Sequence, residues 1–190
     1  TLAIKSKLLH RTHPVFVYLP HNYEKFSRKR YPSVYVTDGG EYLSLASMRN
    51  VLDNLIAEQR IQPVIAIFVD PRTNMNDART SKRMQDYTMN DSFVSFIIEE
   101  VRARLLRKYR MDWRPELTGI MGCSLGGLIS TYAAFSRPDV FGLAAAQSPS
   151  YWWRNDSLIA MVNASPRKNV RFYIDTGTIR DAQEKASQMA

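Results

Sequence analysis

Short apolar runs alternate with helix-like patterns along most of the chain. Apolar runs of strand length occur at residues 33–37, 64–69, 141–147 and 170–175. Apolar positions at helical spacing predict helices at residues 45–60, 91–110, 125–137 and 156–163, with a last helix opening at Asp181. This alternation predicts an α/β fold with a mostly parallel central sheet, right-handed crossovers and helices on both faces.

Two segments depart from this alternation. Apolar runs at residues 5–9 and 15–19 are separated by a short break, which predicts an antiparallel pair of strands at the N-terminus. A polar stretch at residues 70–90 is longer than most connections, and loops of that length are often functional. Asp91 follows this loop at a position from which it can cap the next helix.

The segment Gly122-Cys123-Ser124-Leu125-Gly126 joins a strand-like run to a helical pattern. A nucleophile elbow needs this setting, because its serine occupies a strained turn and glycine leaves room two positions on either side. The N-terminus of the following helix points at the site, so the amide of Leu125 can donate to a developing oxyanion. The alternative is an ordinary glycine-rich turn between a strand and a helix, of a kind that can bind phosphate. Because no Gly-Lys-Ser/Thr follows, a P-loop is excluded.

Composition limits the classes of partner. The chain has 190 residues, enough for one domain, and no apolar run long enough to span a bilayer. Its formal net charge of +8 favours anionic partners, but the basic residues are scattered among acids. That scatter favours a solvated basic surface over nucleic-acid binding. We expect a small-molecule partner, with attraction of an anionic substrate left open, and no nucleic-acid or membrane partner. The single cysteine excludes an internal disulfide framework.

Five segments occur in the order found in one known family. They are residues 31–40, 83–88, 122–127, 138–142 and 147–153. Together they resemble the α/β-hydrolase superfamily and, within it, the esterase family that includes enterochelin (ferric siderophore) esterases. The resemblance implies an α/β-hydrolase fold and ester hydrolysis through an acyl-enzyme at Ser124. That chemistry needs no metal or organic cofactor, since the iron of a ferric siderophore would belong to the substrate.

The resemblance also implies the groups that assist the nucleophile. An oxyanion hole would combine the amide of Leu125 with one from the glycine turn after Asp38, for which Gly40 is favoured. The alternative for that turn is a plain tight turn. A catalytic acid would follow a later strand. We favour Asp181, which lies after a glycine-containing loop like the family's, over Asp175 at the strand end.

The general base is missing from the expected place. The histidines are His10, His13 and His21, and we expect all three to be ordinary surface or strand residues. The family places its histidine downstream of the acid, after one more strand. We therefore interpret residues 1–190 as a single esterase-like domain that lacks the C-terminal strand and histidine loop, with a catalytically silent member as the alternative. In either case these residues alone should show negligible turnover, because a serine is a weak nucleophile without an adjacent base.

Other residues are expected near the substrate. The resemblance implies that Arg83 contacts the cleft, where it could meet an anionic substrate. The alternative for Arg83 and Asp86 is a surface ion pair of little energetic consequence. Trp152 and Trp153 either line the cleft or pack in the core. Cys123 is not favoured as nucleophile, because the elbow presents the serine. The alternatives to a siderophore esterase are a feruloyl or acetyl carbohydrate esterase, an acyltransferase, and a binding module that has lost the base.

Overall fold

The computed structural model describes residues 1–23 and 28–177, and Asp181 therefore lies outside the described residues. Seven strands form one sheet in the order β1-β2-β4-β3-β5-β6-β7. The strands are β1 (Leu2–Lys5), β2 (Thr12–Tyr18), β3 (Ser33–Val36), β4 (Ile65–Val69), β5 (Thr118–Cys123), β6 (Leu143–Gln147) and β7 (Arg171–Asp175). β2 pairs antiparallel with β1 and with β4, and the pairs from β4 to β7 are all parallel.

The mostly parallel sheet with an antiparallel N-terminal pair confirms the predicted topology. The predicted position of the first strand, residues 5–9, is wrong, because β1 ends at Lys5. Residues 6–11 instead form the connection to β2, closed by a hydrogen bond from the amide of Ser6 to the carbonyl of Arg11 at 2.8 Å. The prediction failed because the apolar run at residues 5–9 is typical of a strand, although most of these residues lie in the turn.

Helices connect the parallel strands and cover both faces of the sheet. The α-helices are α1 (Gly39–Ser44), α2 (Met48–Ala57), α3 (Arg83–Tyr87), α4 (Asp91–Ser95), α5 (Ala103–Lys108), α6 (Leu125–Ser136) and α7 (Ser157–Asn163). Between α4 and α5, residues Phe96–Arg102 continue the helix with π-type hydrogen bonding. Short 3₁₀ turns occupy Ala78–Thr80 and Pro115–Leu117. None of the described helices is long and apolar enough to cross a membrane.

Three helix predictions need correction. The helix predicted at residues 45–60 is the shorter α2, which begins only after Ser47 in a left-handed conformation, and the separate helix α1 before it was not predicted. The predicted loop at residues 70–90 contains α3. Asn90, and not Asp91, caps α4, because its side-chain oxygen accepts hydrogen bonds from the amides of Ser92 and Phe93 at 2.9 and 3.3 Å.

Each face of the sheet has its own apolar core. On one face, Val36 and Phe68 are fully buried under Leu52 of α2. The other face holds the larger core, in which Tyr35 and Phe141 make an edge-to-face contact at 5.7 Å. Burial of one such side chain stabilises the fold by roughly 1.5–3 kcal/mol. The two cores fix the sheet, so the carboxyl ends of its parallel strands have a defined arrangement.

Candidate active site

Strained residues cluster where three neighbouring parallel strands end. Asp38 follows β3, Ser124 follows β5 and Ser148 follows β6, and all three have positive φ angles, of 52°, 58° and 40°. Left-handed conformations cost non-glycine residues about 1–3 kcal/mol and concentrate at functional sites. This edge of the sheet is also where ligands bind in open α/β folds. It is therefore the candidate active site.

Ser124 occupies the turn between β5 and α6, as predicted. Its backbone has φ 58° and ψ −118°, outside the usual regions for residues with a Cβ. The amide of Ser124 donates to the carbonyl of Gln147 at 2.9 Å, and the carbonyl of Ser124 accepts from the amides of Leu128 and Ser150, each at 3.0 Å. Hydrogen bonds to β6, to α6 and to the segment after β6 therefore hold the strained turn.

The glycines on either side of Ser124 are required by a neighbouring strand end. A Cβ on Gly122 would lie 2.0 Å from Thr37 Oγ1 and 2.7 Å from the backbone of Gly126. A Cβ on Gly126 would lie 2.5 Å from the same Thr37 oxygen. No side chain fits at these distances, so the glycine spacing reflects close packing of the elbow against the end of β3.

The predicted oxyanion donors differ in their availability. Leu125 is the first residue of the 12-residue helix α6, whose N-terminus carries partial positive charge. The amide of Gly40, in contrast, donates to Asp70 Oδ2 at 2.7 Å, so the prediction that it points into the site is wrong. Gly39 precedes it at the start of α1. Within the described part of the chain, neither the Gly39 amide nor the Leu125 amide has a recorded hydrogen-bond partner.

Asp70 anchors the glycine turn from the end of β4. Its side chain is fully buried and also accepts hydrogen bonds from Arg72 Nε at 2.7 Å and Nη2 at 2.8 Å. Burial tends to raise the pKa of this carboxyl, but the bonds from Arg72 and Gly40 outweigh burial and hold the pKa of Asp70 below its usual value. Asp70 stays ionised, and the turn stays fixed.

Arg83 links the glycine turn to the elbow. Its Nε donates to both oxygens of Asp38, at 2.9 and 3.0 Å, and its Nη2 donates to Asp38 Oδ2 at 2.9 Å and to the carbonyl of Cys123 at 3.1 Å. Burial raises the pKa of the Asp38 carboxyl, against the opposing effect of Arg83. The expected alternative, an ion pair between Arg83 and Asp86, is wrong. Asp86 pairs instead with Arg11.

The two tryptophans have different surroundings. The Trp152 residue is 56% exposed, whereas Trp153 is half-buried and packs against the larger core. Trp153 therefore packs in the core, and a place for Trp152 in the substrate cleft stays a prediction. Cys123 is exposed at the same edge, next to Ser124.

Two contacts at the elbow were not predicted from the sequence. The hydroxyl of Ser150 lies 3.0 Å from Ser124 Oγ, and Ser150 is 3% exposed. The hydroxyl of Tyr42, on α1, donates to Gln147 Oε1 at 2.5 Å, which ties the helix after the glycine turn to the end of β6. Ser150 belongs to segment 147–153, which contributed to the family resemblance, but that signal does not indicate a role for the hydroxyl.

The catalytic acid remains a prediction. Asp175 ends β7, where its Oδ1 accepts a hydrogen bond from the amide of Ser148 at 3.3 Å. This contact connects Asp175 to the segment that follows β6. Asp181, the favoured acid, lies outside the described residues.

None of the three histidines, all of which are described, has a recorded contact with Ser124. His13 is fully buried in β2, where its Nδ1 lies 3.2 Å from the carbonyl of Asp70 and its Nε2 accepts from Arg11 Nε at 3.1 Å. Burial lowers the pKa of His13 to about 4. His13 is therefore a strand residue, as expected, but its complete burial was not predicted.

A cavity of about 930 Å³ lies elsewhere, beside β2 and α2. Its wall includes Tyr18, Asp53 and Phe68 but none of the elbow residues. Tyr18 pairs with Ala66 near the start of β4, which places this part of the cavity at the opposite edge of the sheet from Asp70. This cavity is therefore separate from the candidate active site.

Sequence comparison identifies relatives over most of the chain. It is 26% identical over 178 residues to the uncharacterized protein YbbA of Bacillus subtilis, covering 90% of this chain and 70% of that protein. It is 25% identical over 149 residues to the iron(III) enterobactin esterase of Escherichia coli K12, covering 78% of this chain and 35% of that enzyme. The chain thus spans about a third of the E. coli esterase.

Solved structures share the fold. The enterobactin esterase of Shigella flexneri, crystallised in the presence of enterobactin, superposes with a TM-score of 0.87 at 21% identity, over 99% of this chain and 48% of that one. A ferulic acid esterase superposes with a TM-score of 0.81 at 18% identity, over 98% of this chain and 81% of that one. These similarities confirm the predicted α/β-hydrolase fold.

A family model described as "Putative esterase" matches residues 6–190. The match covers strands β2 to β7, the elbow and the segment after β6, and it agrees with the resemblance found from five short segments. The chain therefore belongs to this esterase family.

Proposed function

We propose that the chain acts in carboxylic ester hydrolysis, with Ser124 as the nucleophile. The observation that carries this proposal is the strained backbone of Ser124 at φ 58°, held between β5 and α6 by hydrogen bonds from three directions. A turn costing about 1–3 kcal/mol would not persist for packing alone when an unstrained turn could join the same elements. Ser124 would attack the ester carbonyl, and water would later release the acyl group.

The oxyanion of the tetrahedral intermediate would be held by two backbone amides. Leu125 supplies one at the N-terminus of α6, and Gly39 supplies the other in place of Gly40, whose amide is bonded to Asp70. Support for Gly39 comes from the anchoring around it, since Asp70 and Arg83 fix the turn on either side. Donors that are fixed before the reaction need no reorganisation when negative charge develops.

The proton of Ser124 requires a base that these histidines do not supply in the described geometry. His13 is committed to Arg11 and the Asp70 carbonyl, and its lowered pKa makes it a poor base. The mechanism therefore takes an imidazole from outside these 190 residues, oriented by Asp181 or Asp175. Residues 1–190 alone should turn over esters very slowly, since loss of one triad member costs several orders of magnitude, about 10⁴–10⁶ in rate.

The substrate class proposed is a siderophore-type ester. Support comes from the enterobactin esterases among the relatives and from the groups near the elbow. Arg83 is paired with Asp38 but keeps 29% of its side chain exposed beside the nucleophile, and the exposed ring of Trp152 offers an aromatic surface for catechol groups. A feruloyl ester is the second candidate, because the ferulic acid esterase is matched over 81% of its own length.

The test of the reaction type is labelling by a fluorophosphonate probe, followed by mass spectrometry of the labelled peptide. We expect the label on Ser124 and none in Ser124→Ala, with Cys123→Ala retaining the label. Hydrolysis of p-nitrophenyl esters by the longest natural form of the chain should depend on Ser124 in the same way. A protein that binds a catecholate ester but is neither labelled nor hydrolytic would be a silent binding module, which would contradict the proposal.

A substrate panel separates the two candidate esters. The panel compares a catecholate triester with methyl ferulate and with an acetylated sugar, and product release is measured by chromatography. Higher kcat/KM for the triester, reduced in Trp152→Ala but not in Trp113→Ala, supports the siderophore-type substrate. Trp113 is a suitable control because it is 63% exposed and lies in the connection before β5, near the start of that strand and not at its carboxyl end. Preference for methyl ferulate would favour the second candidate.

A further inference from the structure

Ser150 touches the nucleophile through both its backbone and its side chain. Its amide donates to the carbonyl of Ser124 at 3.0 Å, and its hydroxyl oxygen lies 3.0 Å from Ser124 Oγ. Ser150 is only 3% exposed, so its hydroxyl has little access to water. Within residues 1–23 and 28–177, Ser124 Oγ is the one recorded hydrogen-bond partner of this hydroxyl.

The direction of this hydrogen bond follows from the reaction. When a base accepts the proton of Ser124, the single hydrogen of that hydroxyl points at the base. Ser124 Oγ can then only accept from Ser150, which must be the donor. We propose that Ser150 is a catalytic residue whose hydroxyl stabilises the negative charge that develops on Ser124 Oγ. This inference rests on the proposed esterase function.

The proton count is unchanged by this role. The base removes the Ser124 proton as Oγ forms a bond to the carbonyl carbon, and the carbonyl electron pair moves to the oxyanion. The intermediate then expels the alcohol oxygen, which takes the proton from the base. In deacylation the base takes a proton from water as the water oxygen bonds to the acyl carbon, Ser124 Oγ then departs and takes that proton from the base, and Ser150 keeps its own proton throughout.

The contribution is largest when Ser124 Oγ is most negative. A hydrogen bond to an ionised acceptor is about twice as strong as one between neutral groups, and an acylated Oγ is a weak acceptor. Ser150 therefore assists both the formation and the breakage of the bond between Ser124 Oγ and the acyl carbon. It adds little to substrate binding. Loss of its hydroxyl should lower kcat, with KM nearly unchanged.

The test compares Ser150→Ala, Ser150→Cys and Ser150→Thr with Ser165→Ala. The control removes a hydroxyl that donates to the carbonyl of Met161 at 2.7 Å, at the end of α7. The rate of fluorophosphonate labelling of Ser124 is measured at pH 7 and pH 10. Labelling requires a single attack by Ser124 and no turnover. At pH 10 hydroxide can replace the missing base. Thermal unfolding midpoints are measured for every variant.

We expect Ser150→Ala to label about 10- to 100-fold more slowly than the natural chain, as loss of one charge-assisted hydrogen bond predicts. Ser150→Thr should restore the rate and Ser165→Ala should leave it unchanged. If Ser150→Ala does not fold, Ser150→Cys replaces it, because a thiol fills the space but donates weakly.

Equal labelling rates in the natural chain and Ser150→Ala would overturn the inference and leave the proposed function standing. Slow labelling of both Ser150→Ala and Ser150→Thr, with lowered unfolding midpoints, would indicate a purely structural role and would also overturn it. Failure of Ser124 to label in the natural chain at either pH would overturn the inference together with the proposed function.

Discussion

Three aspartates make the same local contact with an arginine two residues later, and they differ in burial. The pairs are Asp70–Arg72, Asp77–Arg79 and Asp112–Arg114. In each pair the carboxylate accepts three hydrogen bonds from the arginine, one from its backbone amide and two from its guanidinium group, at distances between 2.7 and 3.0 Å. The exposed fractions of the Asp70, Asp112 and Asp77 side chains are 0%, 10% and 28%. Substitution of each by Asn perturbs the same local contact at three degrees of burial.

The loss should be largest at Asp70. Its carboxylate also accepts the Gly40 amide, whereas an asparagine offers one oxygen and directs an NH₂ group at another donor. Breaking a buried ion pair costs about 3–5 kcal/mol. Because Arg72 keeps 20% of its side chain exposed, the lower end applies, and we expect Asp70→Asn to lower the free energy of unfolding by about 3 kcal/mol. Asp77→Asn should cause no measurable change, and Asp112→Asn should fall between them.

Urea unfolding followed by tryptophan fluorescence measures these differences. The pH dependence supplies a second check, because the pKa of Asp70 is lowered in the folded state. The stabilisation is therefore fully present above the unfolded pKa of about 4 and is lost as the pH falls below that value. The difference between the natural chain and Asp70→Asn should shrink in acid. Equal losses for Asp70→Asn and Asp77→Asn at pH 7 would refute the reasoning.

Further predictions concern the elbow, a buried histidine and the arginine link. Gly122→Ala should lower the thermal midpoint strongly, since its Cβ would lie 2.0 Å from an oxygen, whereas Gly119→Ala, with 3.5 Å of clearance, should be tolerated. The pKa of His13 is lowered to about 4, so the unfolded chain binds more protons than the folded chain between pH 6.5 and 4. As the pH falls through this range, the free energy of unfolding should decrease by about 3 kcal/mol, measured by urea unfolding. This decrease should be absent in His13→Gln. Arg83→Lys cannot reproduce the fork on Asp38 and should lower the free energy of unfolding by roughly 1–2 kcal/mol, with no loss refuting the structural link.

The elbow could be predicted because its requirements are local. Gly122, Ser124 and Gly126 are close in sequence, and the strand before them and the helix after them have clear patterns. The parallel sheet could be predicted for the same reason, since each strand is a short apolar run between helical patterns. The family resemblance added the glycine turn after Asp38, which no local pattern distinguishes from an ordinary tight turn.

The contacts that orient the site could not be predicted, because they join residues far apart in sequence. Gly40 is bonded to Asp70, 30 residues later, and Arg83 to Asp38, 45 residues earlier. Which of two adjacent glycine amides is available therefore depends on where β4 ends. The start of α2 was missed for a different reason. Ser47 adopts a left-handed conformation that its residue type does not indicate.

The strain at Ser124 and the arrangement of its neighbours have a common origin. Hydrogen bonds from β6, α6 and Ser150 hold the backbone of Ser124, and Thr37 fills the space that Gly122 leaves open. Each contact contributes about 0.5–1.5 kcal/mol, so three together offset a strain of about 1–3 kcal/mol. The same contacts also fix where Ser124 Oγ lies relative to the amide at the start of α6. A relaxed turn would need fewer of these contacts, but it would lose the alignment on which an oxyanion hole depends.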